Sequence, residues 1–452
     1  MIDEHFVIVC TVLASGLPLS YAIAKSWKQL GTTFFLLSPL PIFTFAYACA
    51  FVFKPFVETL LSFRYPFTID FEYAVFIRAQ AYSILSVYAF VVSYSSFFNA
   101  PLRLKTLERL PIIAGRPYRV CQAVAGSISL LLSLIFFAIL LNLGLVTLDF
   151  GENRVSYLNQ MHGTGYVFLI NNAAFVFFVI SAALSLWTNR LSIPAILSLL
   201  VLVLSNTFVS NRSFVIIVLF ICVLLFIVHR YRRGLEASAA KLLIVLLVLV
   251  VLGAGIGLMR GTEGFGNQDF LPYVFLLLTF DMAETFQTVL ARHDSFDWGL
   301  SWVEDVVFTY LPRLVFEDKP NAYGAMRLQV EYMPESSSAT QIFNATYPLG
   351  IFGESYANFG LLGILSSLFI LGAVLKFLYY RTLAGLLALK PKFFAMGTLL
   401  LYSILCANSL GYIRSFGWFL AGIVFLLSLF FMCFLVTIGV SSLIIGRLGR
   451  NR

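Results

Sequence analysis

The stretch FGWFLAGIVFLLSLFFMCFLVTI, residues 416–438, runs for 23 residues without a charged side chain. About 20 apolar residues carry a helix across the hydrocarbon core of a bilayer. In lipid every backbone amide and carbonyl needs an internal partner, so only helices and closed barrels span. A barrel would show short alternating segments, and the sequence has none. Working outward, comparable runs lie at roughly 6–24, 31–53, 73–98, 120–146, 161–187, 191–208, 214–228, 242–259, 349–375 and 393–413. With 416–438 they make about 11 spans. The whole chain agrees with this reading: 60% of its 452 residues are hydrophobic and 12% charged, against about 25% charged in soluble domains. The expected fold is an all-α polytopic integral membrane protein. The N-terminal MIDEHF lacks the basic region of a cleaved signal peptide, so the first run is kept as a span.

Orientation follows from the cations. With the N-terminus outside, the inner segments are 25–30, 99–119, 188–190, 229–241, 376–392 and 439–452. They hold 19 of the 30 Lys and Arg but only two of the 22 acids, Glu108 and Glu236. Such a bias marks the cytoplasmic side. It also accounts for the net charge of +8 through basic loops facing anionic headgroups, with no nucleic acid as partner. Three segments result: 1–259 with eight spans, a large outer loop over 260–348, and 349–452 with three spans and a basic tail. The apolar run 270–280 is short and is followed by Asp281 and Glu284; it reads as an interfacial or re-entrant helix. The loop carries Trp298, Trp302, Tyr310, Phe316, Tyr323, Tyr332 and Phe343 among acids, a composition that suits a folded cap and sugar recognition.

Several chemistries lack their motifs. There is no P-loop, no HExxH, no GxSxG elbow and no cluster of His and Cys. No cofactor and no metal are expected. The six cysteines are scattered and mostly within apolar runs. GAGIG at 253–257 lies inside a span, where small residues serve close helix packing.

The positive signal is a set of charges at the outer ends of spans. Arg212 sits between spans 6 and 7, Arg260 ends span 8, Glu354 opens span 9, and Arg414 lies between spans 10 and 11. Charges at membrane depth are costly and tend to line functional cavities. Arg grips phosphate oxygens with two parallel bonds and stays charged. A lipid pyrophosphate would sit at this depth, and it leaves readily once fixed cations stabilise it. A nearby carboxylate can take the proton of a sugar hydroxyl, and Glu354 is the candidate.

These residues resemble a family. Ser210-Asn211-Arg212-Ser213, Arg260, Leu311-Pro312-Arg313 with Lys319-Pro320, and Gly353-Glu354-Ser355-Tyr356-Ala357-Asn358-Phe359-Gly360 look like the Wzy-type O-antigen polymerases, the oligosaccharide repeat-unit polymerases that include the enterobacterial common antigen polymerase. The resemblance covers roughly 200–415. It implies a GT-C-like fold in the bacterial inner membrane with the active site facing the periplasm. It implies metal-independent polymerisation of undecaprenyl-pyrophosphate-linked oligosaccharide. Arg212, Arg260, Arg414, Arg313, Lys319, Tyr356 and Asn358 then become substrate contacts and Glu354 the catalytic carboxylate. Membrane lipid, a chain-length regulator and a flippase become partners. Related O-antigen ligases use a His in the outer loop region, where this chain has His293. His293, Asp318 and Asp281 are therefore the alternative bases, and a ligase is the alternative enzyme. A transporter of lipid-linked sugars is the alternative of another class, but transporters tend to carry midplane charges and repeated halves.

Overall fold

The computed structural model describes residues 4–56, 73–96, 115–147, 165–209, 212–235, 282–308, 318–320, 322–333, 349–388, 393–407 and 416–450, with single positions and one short stretch around 238–248 and 316. Every regular element among them is helical. Among the described residues, eight helices are long and apolar enough to cross a membrane, and Ile193–Phe208 and Phe394–Ile404 are shorter apolar helices. The chain is a multi-pass α-helical membrane protein. The expected span 242–259 falls mostly outside the described residues, and the run 270–280 entirely so.

Two compact units divide the chain, and they cut across the three segments delimited by sequence. The first comprises Met1–Leu102, Glu263–Phe377 and Asn408–Gly422; the second comprises Arg103–Thr262, Leu378–Ala407 and Ile423–Arg452. From Glu263 onward the loop thus belongs to the same unit as the first spans.

In the first unit, α1 covers Glu4–Leu36. The expected inner turn at 25–30 is helical instead. The helix direction breaks later, at Gly31 (φ 69°, ψ 165°), a conformation that glycine adopts without a Cβ penalty. Trp27 consequently stacks on Phe35 at 5.6 Å. The second span starts only at Pro39, which begins α2 (Pro39–Ala48) after Ser38 and continues through a π turn, Cys49–Phe53. Proline suits this first position because its missing N–H would be unpaired there anyway. α2 packs antiparallel on α3 (Tyr73–Ser96): Phe43 stacks on Phe90 at 3.7 Å, and the Tyr47 hydroxyl meets Ser83 at 3.1 Å. Lys25 Nζ donates to Ser95 O at the end of α3 (3.2 Å). The opposite end of the pair is where the loop docks.

In the second unit, α4 (Arg116–Asn142), α5 (Gly165–Thr188) and α6 (Ile193–Phe208) form a bundle. Lipid tails are as apolar as leucine, so small and polar residues must hold such helices together. Ser129 Oγ lies 2.7 Å from Ala174 O and 2.5 Å from Ser198 Oγ. The buried Asn171 and Asn206 amides exchange hydrogen bonds of 3.2 and 3.1 Å. α7 (Arg212–Arg232) ends on Arg232, whose guanidinium donates to Leu386 O and Ala388 O at 2.8 and 2.9 Å. Trp187 Nε1 also donates to Ala388 O (3.1 Å). These donors satisfy carbonyls that the end of a helix leaves without partners.

The loop holds three short helices: α8 (Met282–Arg292), α9 (Leu300–Phe308) and α10 (Ala325–Tyr332). These are the helices among the loop's described residues. α11 (Gly350–Leu386) follows, then α12 (Phe393–Ala407) and α13 (Phe416–Arg450).

Candidate active site

α11 is two limbs rather than one rod. Phe359 (φ −142°) and Gly360 (φ 63°, ψ −146°) leave helical geometry. Ser355 Oγ and Ser367 Oγ lie 2.8 Å apart, whereas 12 residues of straight helix would separate them by about 18 Å. Limb 350–358 therefore folds back on limb 361–386. The run expected as one span at 349–375 is thus broken at Gly360, and Glu354 lies on the limb before the break.

The reversal frees carbonyls, and the loop supplies their donors. Asp297 N donates to Ala357 O (2.9 Å) and Trp298 N to Asn358 O (3.1 Å). Asn358 Nδ2 donates back to Glu354 O and to Ser301 Oγ, at 2.8 and 2.7 Å. Phe359 packs against Trp298 and Trp302. Asn358 thus fastens α9 to the limb that carries Glu354.

Glu354 is fully buried. Its Oε2 accepts the Phe416 amide (2.9 Å) and its Oε1 the Gly417 amide (3.0 Å). Those amides open α13, where a helix has unpaired N–H groups and partial positive charge. Both oxygens of the carboxylate are thereby tied to the start of the last span. Asp305, also fully buried, faces Gly417 and Gly324 so closely that a Cβ at either would collide with it. Its Oδ2 accepts the Ala325 amide (3.2 Å), and Glu304 Oε2 accepts that of Gly324 (2.7 Å). Two carboxylates therefore cap α10.

Arg327 completes this frame. Its guanidinium donates to both oxygens of Asp297 (2.7 and 2.9 Å) and to Glu304 Oε2 (2.9 Å). Asp297 in turn accepts the Ser301 amide in the first turn of α9 (2.7 Å). Replacing Arg327 by Met is expected to cost about 2 kcal/mol, allowing for its partial exposure. Thermal melting with limited proteolysis will read this as earlier cleavage between α9 and α10.

His293 stands directly after α8. Its Nδ1 lies 2.8 Å from Tyr332 Oη, while its Nε2 is buried and has no hydrogen-bond partner. The Phe296 ring centroid is 4.7 Å away and that of Tyr356 5.2 Å away. Burial pushes the imidazole pKa down from 6.5, against the opposing pull of Asp294 and Glu331. The ring is therefore neutral at neutral pH. Burial pushes the Tyr332 phenol up to about 12, with Glu331 adding to it, so the phenol keeps its proton. In the tautomer with its hydrogen on Nδ1, directed at Tyr332 Oη, the neutral imidazole keeps a lone pair on Nε2. Arg292 Nη1 holds the Tyr332 carbonyl (2.8 Å). At the far end of α8, Glu284 forms a largely buried ion pair with Lys54 at the end of the second span (2.9 Å).

His293, Tyr356, Asn358 and Glu354 thus share one neighbourhood. Lys319 lies elsewhere in the loop, its ammonium 4.9 Å above the Tyr323 ring, and Asp318 is exposed in the turn before it. Arg212 opens α7, but its side chain lies outside the described residues, as do Arg260, Arg313, Arg414 and Asp281 entirely. No family model, no curated protein and no solved structure matches the chain. Asp297 and Arg327 escaped the sequence reading because they pair across 30 residues, and Tyr332 was legible only as a loop aromatic because its partner His293 lies 39 residues away. Trp298 escaped it as a strained residue. Its φ of 53° costs about 1–3 kcal/mol for a bulky side chain, and only the Gly299 that follows hinted at a turn there.

Proposed function

We propose that the chain polymerises undecaprenyl-pyrophosphate-linked oligosaccharide repeat units on the periplasmic face of a bacterial inner membrane, as a relative of the Wzy-type polymerases. The observation that carries the reading is His293. A neutral imidazole with one nitrogen anchored on Tyr332 and the other without a partner sits beside the folded-back GESYANFG limb. This is the equipment of a general base.

In the proposed reaction the acceptor sugar hydroxyl attacks the anomeric carbon of the donor chain. The carbon–oxygen bond to pyrophosphate breaks, and undecaprenyl pyrophosphate leaves with the electron pair. His293 Nε2 takes the hydroxyl proton, and the anomeric centre inverts. Asp294 and Glu331 favour the imidazolium that results. Arg212, Arg260 and Arg414 are the proposed pyrophosphate contacts. Glu354 acts as a positioning residue that fixes the folded-back limb to α13.

A bidentate guanidinium grip is poorly replaced by ammonium. Arg212→Lys and Arg260→Lys are each expected to lose most activity although charge is kept. Near-normal activity of both, with inactive Ala variants, would reduce the role to charge alone. Orientation has its own check. Cysteines introduced as Ser336→Cys and Ala237→Cys, labelled by an impermeant reagent on spheroplasts, are expected to react at 336 and not at 237. The competing ligase reading is separated by acceptor choice. Labelled donor is offered with either lipid-linked repeat unit or lipid A core. Label in lipid-linked ladders supports the polymerase, and label on the core alone means a ligase.

A further inference from the structure

The base and the leaving-group contacts leave open what holds the sugar rings. Trp298 is 73% exposed, on a loop whose backbone is otherwise fixed. Its amide donates to Asn358 O, and it keeps a left-handed φ of 53° without being glycine. Strain of this kind persists only where the surroundings impose it, and it concentrates at ligand clamps. Gly299 behind it has a φ of 84°, which favours glycine, and a Cβ there would press on the Phe359 ring at 3.0 Å.

The ring geometry is specific. Phe296 meets the indole at 70° (centroids 5.6 Å) and Phe359 meets it at 76° (6.2 Å). Neither lies parallel to it, and at 73% exposure most of the indole surface is open to a flat partner. Phe296 also touches the imidazole of His293. Asp294, exposed, and Glu331, exposed, lie near that imidazole. Carboxylates accept hydrogen bonds from hydroxyls, and they repel anionic headgroups. A rigid apolar face edged by acceptors suits the C–H face and hydroxyl rim of a pyranose better than a lipid surface.

We propose that the Trp298 indole is a sugar-stacking shelf that presents a pyranose of the glycan to His293. The proposal rests on the glycosyl-transfer reading for its placement, but sugar binding can be measured apart from turnover. The purified full chain in nanodiscs is titrated with three probes. These are glycan released by mild acid from the host's lipid-linked pool, undecaprenyl pyrophosphate without sugar, and brominated phospholipid. The difference in emission between wild type and Trp298→Phe isolates the Trp298 signal.

Glycan is expected to change the Trp298 signal, and brominated lipid to leave it unquenched. Trp298→Ala is expected to weaken glycan binding about tenfold or more while leaving undecaprenyl pyrophosphate binding unchanged. Quenching by brominated lipid would make Trp298 a membrane anchor and overturn the shelf. Equal loss of both ligands, or no loss of glycan, would overturn it too. Glycan binding through Trp298 without any polymerisation would keep the shelf and reject the polymerase.

Discussion

Replacing Glu354 by Ala is expected to destabilise the protein by about 3–5 kcal/mol, enough to deplete the folded form in the membrane. The carboxylate is fully buried and accepts the Phe416 and Gly417 amides, one on each oxygen. Its removal leaves two buried donors without that partner at the positive end of α13. Gln keeps one carbonyl oxygen but turns an NH₂ group toward the second amide. Its cost is expected near half that of Ala, about 2 kcal/mol. Read from the motif alone, Glu354 is a base, and Gln would then fold normally and lose at least about 10²-fold in turnover. The two accounts part cleanly. Positioning predicts a lower melting temperature with turnover per folded molecule largely kept. Wild-type melting, intact binding and lost turnover would return the proton transfer to Glu354.

His293→Gln is expected to behave in the opposite way. It loses one hydrogen bond to Tyr332, worth about 1 kcal/mol, and should insert and melt nearly as wild type. Turnover should fall by about 10²–10⁴-fold, the usual contribution of a general base. The pH profile gives the sign. A base must be unprotonated, and burial holds this imidazole below its ordinary 6.5. Activity should therefore be flat through neutral pH and decline only in acid, below the range of an exposed histidine. His293→Gln should lose that acid limb along with the rate. Tyr332→Phe, which removes the oxygen facing Nδ1, should retain the limb at reduced rate.

Sequence reading went furthest where one physical rule dominates. Length and apolarity located the membrane helices. Boundaries failed where a single glycine decides. Gly31 and Gly360 look like other small residues in apolar runs, yet each takes a positive φ and turns the chain. That is why the second span starts at Pro39, and why Glu354 lies on a folded-back limb. His293 was legible as a lone loop histidine, but its worth depends on Tyr332, 39 residues away. GESYANFG was legible as a motif. Its main structural work is local: Asn358 and Gly360 shape a reversal that receives α9 and α13. Such roles depend on which carbonyls a turn frees, and no spacing rule reports that.

Counting products tests the polymerase most directly. Purified protein in nanodiscs is given undecaprenyl-pyrophosphate-linked repeat units of one length, and released undecaprenyl pyrophosphate is measured alongside glycan length. The account predicts a ladder in repeat-unit steps, with one undecaprenyl pyrophosphate released per new glycosidic bond and neither product from His293→Gln. Substrate that is bound but never lengthened, with no undecaprenyl pyrophosphate released by the wild type, would contradict it.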